Sequence, residues 1–398
     1  MKNVLYIFKI LFIIALAFHE IGTGSAQNVI LQKVQATKFI NTKLTIGGNI
    51  HVHDSLILFH SSTYSNCIDS YNMRNNKLQR FTLTYDGTDA GLLWQISTNE
   101  YGIFATTNHS NGTIHKYKAF YLCNDSLIEI VPLSYNSKNF EHIKDYEYKL
   151  QTNSIIRNPL FFQSQMVNDL IITTGTFPNG FVQIRPLLCD TLEIYGAESP
   201  DFPVGMSHDE RMAAYFTSTT PTLIIRPGTN NEFVIVYYGN IYALQTFKIN
   251  KNKTISNKSK ANIFQTPTNI SIHESDGYYK FKYRDTTNKV NIFDTLARIT
   301  NKRVNGIITP IWRFAISAAA SGQRIFVLYS NKPYLQHDSH LATNLHIYNW
   351  QGELISKHNL STPLYSIAFD YITGKLYGFG RDNINIRNSA MYEIIIKQ

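Results

Sequence analysis

The chain has 398 residues, with 37 Lys and Arg against 28 Asp and Glu, a formal charge of +9, and 13% aromatic residues. Only 16% of residues are charged and 43% are hydrophobic, which excludes a disordered polyelectrolyte, and three cysteines exclude a fold held by a disulfide framework. The length is large for one compact core but suits a repeat array, in which each unit contacts only its neighbours.

Residues 1–26 read as a cleavable signal peptide. Lys2 and Lys9 flank the apolar run VLYIFKILFIIALAF, and Gly24 and Ala26 occupy the minus-three and minus-one positions of a cleavage before Gln27. With no Cys near that point, a lipid anchor is not expected. No other apolar run approaches the roughly twenty residues that span a bilayer. A periplasmic or secreted protein without a transmembrane segment is expected, and residues 27–398 form one domain.

Along that domain, helical spacing of apolar residues is almost absent. Short β-rich runs recur instead: SLILF, LIEIV, DLIITTG, FVQIR, TLEIYG, TLIIR, EFVIVYYG, YYKFKYR, IFVLYS and MYEIII. Between them stand hairpin signals such as Asp86-Gly87, Asn111-Gly112, Pro227-Gly228, Asp276-Gly277 and Thr373-Gly374. The chain therefore reads as all-β, a β-propeller of four-stranded antiparallel blades.

The plainest blade runs from Phe314 to Leu360, through FAIS, RIFVLYS, NLHIYNW and ELISKHNL, and its neighbour starts at Tyr365. First strands are expected near Ile50, Ile103, Phe161, Val204, residue 260, Phe314 and Tyr365, which allows seven blades of about 53 residues or six of about 62. The stretch from Lys248 to Arg303 is the least regular, so one of these starts is a candidate insertion. A strand near Ala36–Leu44 is expected to pair with the C-terminal blade, since an open array leaves two bare edges.

The run IFVLYSNK, followed by LHIYNWQGELISKHNLSTPLYSIAFDYITGKLYGFG, resembles the TolB-like six-bladed propeller proteins of bacterial envelopes. That family has a Y-A-L-Y-S-G-K-like strand before I-x-V-F-D-W-x-G, then I-x-x-I-A-V-D and a Lys-Leu-Tyr strand. Here Tyr348-Asn349-Trp350 stands where the family tends to Phe-Asp-Trp. The resemblance implies six blades and export, and brings no catalytic motif with it.

Candidate site residues are few. His51 and His53 form an H-x-H on an early strand, so alternation puts both imidazoles on one face; two ligands are half a metal site, and no metal or other cofactor is expected. His337 and His340, in the polar hairpin QHDSH, lie where propellers build binding loops. The run Gly205–Glu210 contains Ser, His and Asp in sequence, but neighbours in extended or turn backbone point apart, so it is no triad. The lysines from Lys248 to Lys260 lack interleaved aromatics and arginines, and nucleic acid is not an expected partner. Asp370, before the Gly374 turn, is expected to accept backbone hydrogen bonds in its hairpin, and the aromatics are expected to pack sheet against sheet.

Two functions remain open. One is a non-catalytic, monomeric binding scaffold that contacts a protein or glycan through one face. The other is a carbohydrate-active hydrolase or lyase in the central funnel, for which His51, His53, His208 and Arg324 are the nominees.

Overall fold

The computed structural model describes residues 29–34, 50–60, 67–85, 88–89, 92–110, 115–123, 126–131, 161–167, 170–177, 180–186, 222–229, 231–237, 242–250, 255–257, 262–265, 270–275, 278–284, 291–300, 303–305, 312–333, 338–381 and 389–397. Among these residues every regular element is a β-strand.

A short N-terminal strand, β1 (Val29–Lys33), precedes a first meander of β2 (His51–His53), β3 (Leu56–His60), β4 (Cys67–Asn72) and β5 (Lys77–Thr82). A small ribbon, β6 (Thr84–Tyr85) with β7 (Thr88–Asp89), leads to the second: β8 (Leu92–Asn99), β9 (Gly102–Ser110), β10 (His115–Cys123) and β11 (Ser126–Val131). The third has three described strands, β12 (Phe161–Val167), β13 (Leu170–Phe177) and β14 (Gly180–Pro186). The fourth comprises β15 (Thr222–Ile225), β16 (Glu232–Tyr237) and β17 (Tyr242–Ile249), whose far edge is shared by β18 (Ile255–Asn257) and β19 (Asn262–Gln265). A separate meander follows, from β20 (Ile270–Ser275) through β21 (Tyr278–Arg284) and β22 (Asn291–Thr300) to β23 (Arg303–Asn305).

The C-terminal sheet holds β24 (Trp312–Ala320), β25 (Ile325–Pro333), β26 (Ala342–Tyr348), β27 (Leu354–Asp370), β28 (Lys375–Arg381) and β29 (Ser389–Ile396). The long strand β27 serves two meanders. Its first part pairs with β26 and its last part, from Leu364, with β28. Pro363 marks the change; its missing N–H suits it to a break in ladder pairing.

The first strands pack against one another in a fixed order. β2 meets β8, β8 meets β12, β12 meets β15, β15 meets β24, β24 meets β27, and β27 meets β2. The apolar clusters lie between successive meanders rather than inside any one. Leu58, Ile68 and Phe81 pack with Ile96 and Ile103; Ile172 and Val182 with Leu223 and Phe233; Ile224 and Val234 with Phe314 and Val327; and Val52 and Ile57 with Tyr365 and Phe379. Both faces of the first, fourth and C-terminal sheets are thus covered, which explains why many of their strands read as unbroken apolar runs. Trp350, Tyr348, Tyr242, Phe379 and Tyr392 are among the largest buried side chains, and each contributes on the order of 2–3 kcal/mol by leaving water.

Three sequence expectations are refined. The strand that pairs with the C-terminal β29 is β1, with Val29 opposite Ile396 and Lys33 opposite Tyr392, whereas the expected Ala36–Leu44 segment lies outside the described residues. Ile103 begins the interior of the second strand of its meander; the strand that meets its neighbours is β8. Near residue 260, β19 is an edge strand on β17 rather than a first strand, and Val204 lies outside the described residues.

Candidate functional site

A cavity is lined from β2 by His51, from β8 by Gln95 and Thr98, from β12 by Gln163 and Gln165, from β15 by Thr222, from β24 by Ser317 and from β27 by Ser366. It has a volume of about 60 Å³, room for a few waters or the tip of a ligand.

A first strand has one edge with no ladder partner, and a bare backbone edge is costly. Side chains from the neighbouring first strand meet that need. Between β8 and β12, the Ser97 hydroxyl donates to the Ser164 carbonyl at 2.8 Å. Between β12 and β15, the Leu223 N–H donates to Gln163 Oε1 and Gln165 Nε2 donates to the Leu223 carbonyl, both at 2.6 Å. Between β24 and β27, the Ile367 N–H donates to Ser317 Oγ at 3.1 Å. At the end of β15, Arg226 Nε donates to the Gly322 carbonyl in the β24–β25 turn at 3.0 Å, while its guanidinium lies 5.4 Å from the Trp350 ring. The His53 imidazole lies beside the Asn99 backbone at the β2–β8 junction.

The sixth junction is the work of Asp370. Its carboxylate accepts the N–H groups of Asp54 at 3.0 Å and Ser55 at 3.2 Å, and within its own turn those of Ile372 at 3.1 Å and Thr373 at 3.4 Å, plus the Thr373 hydroxyl at 2.8 Å. The expected hairpin role of Asp370 is present, with a cross-strand role added. Burial pushes its carboxyl pKa up, but the hydrogen bonds from Thr373, Ile372, Ser55 and Asp54 outweigh this and hold it below the usual carboxylate range. Asp54 and Ser55 form a two-residue turn with φ of 45° and 68°, the left-handed pair that a type I′ hairpin demands and that Asn-Gly usually fills. Arg74 braces that turn through Asp54 at 2.5 Å.

These bonds gather the first turn of several meanders at one end of the cavity. There the Glu100 carboxylate also accepts the Gly228 N–H, at 2.8 and 3.0 Å, bridging the β8–β9 and β15–β16 turns.

The histidines expected to matter are partly placed. His51 and His53 do share a face, flanking buried Val52. Burial, reinforced by the nearby His60, lowers the His51 pKa to about 3. Burial also lowers that of His53, against the opposing pull of Asp370 and Asp54. Both are neutral imidazoles near neutral pH. Arg324 stands in the β24–β25 turn, where its N–H donates to Ser321 Oγ at 3.1 Å. His340 belongs to the β25–β26 connection at the opposite end of β25, in a turn tied down by Ser330, which donates to the Ser339 carbonyl at 2.9 Å, and by a 2.6 Å Lys332–Asp338 ion pair. His340 and Arg324 therefore do not share a site. His208 and His337 lie outside the described residues. Among the described residues no three His, Cys, Asp or Glu side chains converge as a metal site. Cys67 is a buried thiol 3.5 Å from the Thr82 hydroxyl.

A second titratable cluster lies between the fourth meander and the C-terminal sheet. The Tyr242 and Tyr348 hydroxyls are 2.6 Å apart, and His346 Nδ1 lies 3.2 Å from the first and 3.3 Å from the second. Tyr329 stacks on the His346 ring at 4.3 Å. Burial, with the charge of Lys357, lowers the His346 pKa to about 4, and burial pushes the Tyr348 phenol above its usual range.

The sequence reading missed Gln163, Gln165, Ser97 and Ser317. Their signal was visible: Gln at alternate positions of FFQSQMV, and Ser inside QIST and FAIS, are polar residues interrupting otherwise buried strands.

No family model matches the chain, and no curated protein matches it. Among solved structures, it is similar to a protein of unknown function from Bacteroides thetaiotaomicron at 8% identity, covering 93% of this chain and 76% of that one with a TM-score of 0.44. It is also similar to the β-propeller domain of Cps50 (Swd1) from Myceliophteria thermophila, at 11% identity over 87% and 83% of the two chains, TM-score 0.40. The RRP9 WD40 repeats give 8% identity over 93% and 99%, TM-score 0.41. At this level of likeness no residue and no activity carries over.

Proposed function

We propose that the chain is a six-bladed β-propeller, similar in plan to the TolB-like proteins, and that it serves outside the cytoplasm as a non-catalytic, monomeric scaffold binding a protein or glycan through the loops of one end. Six blades follow from taking each mutually packed first strand as the start of a blade, with β1 completing the last one beside β29. The β20–β23 meander falls in sequence between β15 and β24, whose strands touch directly, and is then an insertion. Export rests on residues 1–26, with their basic start, apolar run and Gly24-x-Ala26 ending.

The observation that carries the scaffold reading is the use made of polar side chains on the first strands. Gln163, Gln165, Ser97 and Ser317 hold neighbouring backbones together. Such groups fix a rigid frame, and a rigid frame with variable loops is the architecture of a binding platform.

The test is expression of the full chain with photo-crosslinking side chains at Arg74, in the first-turn end, and at His340, in the opposite end. Cleavage before Gln27 and repeated capture of one species from one end alone support the reading. A chain left uncleaved in the cytoplasm, or turnover of acidic polysaccharide by the purified protein, overturns it.

A further inference from the structure

The β20–β23 meander sorts its charges between its two faces. Residues directly opposite each other across a ladder share a face, as do alternate residues along a strand. One face takes Ile270 with Tyr283 and Ile292, Ile272 with Phe281 and Asp294, and Glu274 with Tyr279. The other takes Lys282 opposite Phe293, Tyr278 opposite Arg298, and also Lys280, Arg284 and Arg303. Among the described residues of this meander, all five lysines and arginines thus fall on one face and both carboxylates on the other.

An ordinary solvated surface intersperses the two signs. Here Asp294 lies opposite Phe281 and Glu274 opposite Tyr279, so the register gives no directly opposed pair of unlike charge. The face with the isoleucines is the one suited to burial, whereas five cations with no described carboxylate among them are too costly to bury. Lys280, Lys282 and Arg284 occupy alternate positions of β21, a line of positive charge about 13 Å long. Such a line concentrates positive potential and favours an extended polyanion over a single small anion.

Two features narrow the class of polyanion. Aromatic residues stand in register with cations on the same face, Phe293 with Lys282 and Tyr278 with Arg298. That combination supplies a flat apolar plate for a sugar ring beside a charge for its carboxylate or sulfate. An anionic bilayer, by contrast, draws cations and aliphatic residues to one side, and here Ile270, Ile272 and Ile292 are on the opposite face. We infer that the cationic face of the β20–β23 meander binds an acidic polysaccharide. The choice of a glycan over a nucleic acid rests on the export proposed above, and the surface, a sheet face rather than end loops, goes beyond that reading.

The purified mature chain is titrated by biolayer interferometry with heparin and polygalacturonate, and with neutral dextran, poly(U) RNA and phosphatidylserine vesicles. Micromolar binding of at least one acidic polysaccharide is expected, weakening with salt, and none of dextran. Lys280→Gln, Lys282→Gln and Arg298→Gln together should weaken it about tenfold or more. Lys251→Gln, Lys253→Gln and Lys258→Gln change the net charge equally, in the lysine tract, and should alter it by less than about twofold. Lys280→Arg with Lys282→Arg should keep the affinity, which separates lost charge from lost folding. The inference is overturned by absence of polysaccharide binding, by equal weakening in the two triple variants, by loss of binding in the arginine variant, or by tighter binding of RNA or vesicles. Export is read separately, from cleavage before Gln27, so polysaccharide binding by a chain that stays uncleaved in the cell overturns the export reading alone.

Discussion

Asp370 Oδ1 accepts the backbone N–H of Asp54 at 3.0 Å, across 316 residues of sequence, and thereby fastens the turn after β27 to the turn after β2. Both partners are constrained: Asp370 is fully buried, and Asp54 begins a turn whose two residues have positive φ. A left-handed conformation in a non-glycine residue costs on the order of 1–2 kcal/mol. The carboxylate offsets that cost with hydrogen bonds made by an ionised acceptor.

Asp370→Ala is therefore expected to destabilise by about 3 kcal/mol or more, measured by urea denaturation. Its folded pKa is lowered, so the stability it contributes is present above the unfolded carboxyl pKa of about 4 and disappears as pH falls through the lower folded value. The variant should show a shallower loss of stability than the parent below about pH 4.

His346 gives a second, separate acid response. Its folded pKa is about 4 against 6.5 in a free side chain, so the unfolded state takes up a proton first as pH falls. Stability is then full above about 6.5 and declines towards pH 4, by up to about 3 kcal/mol. His346→Gln should flatten that part of the pH profile of the melting temperature, while His51, His53 and His60, each lowered by burial, still contribute slope of the same sign.

Gly380 faces Leu364 and the Pro363 carbonyl so closely that a Cβ would collide with both. The collision involves backbone, which yields little. Gly380→Ala should cost about 2–3 kcal/mol, whereas Gly374→Ala, in open space but at φ +70°, should cost nearer 1 kcal/mol. Calorimetry on the two variants checks the order.

Gln163→Leu leaves the Leu223 N–H without its acceptor. A loss of about 1–3 kcal/mol is expected, together with faster amide hydrogen exchange at Leu223. The exchange readout separates the lost bond from a general loss of packing.

Much of this was legible in sequence, and unevenly so. From Phe314 to Gly380 the alternation of apolar residues, the Gly-containing turns and the glycines of YGFG are all local signals, and the strands fall where they indicate. The position of Ile103 was misread because GIFAT and LLWQIST are both apolar runs, and nothing local says which of two paired strands faces the cavity. The junctions were harder still. Gln165 to Leu223 and Asp370 to Ser55 join residues far apart in sequence, and hydrogen bonds of that range follow from strand order, which periodicity does not encode.

The pairing of β1 with β29 sets the order of events in folding. Val29 and Ile396 lie far apart in sequence, so the seam they form is available only after all the strands between them have been made. Until then β29 presents a bare edge rich in isoleucine, of the kind that recruits strands from other molecules. Removing residues 27–34 would make that transient hazard permanent, turning a late folding step into a standing site for self-association.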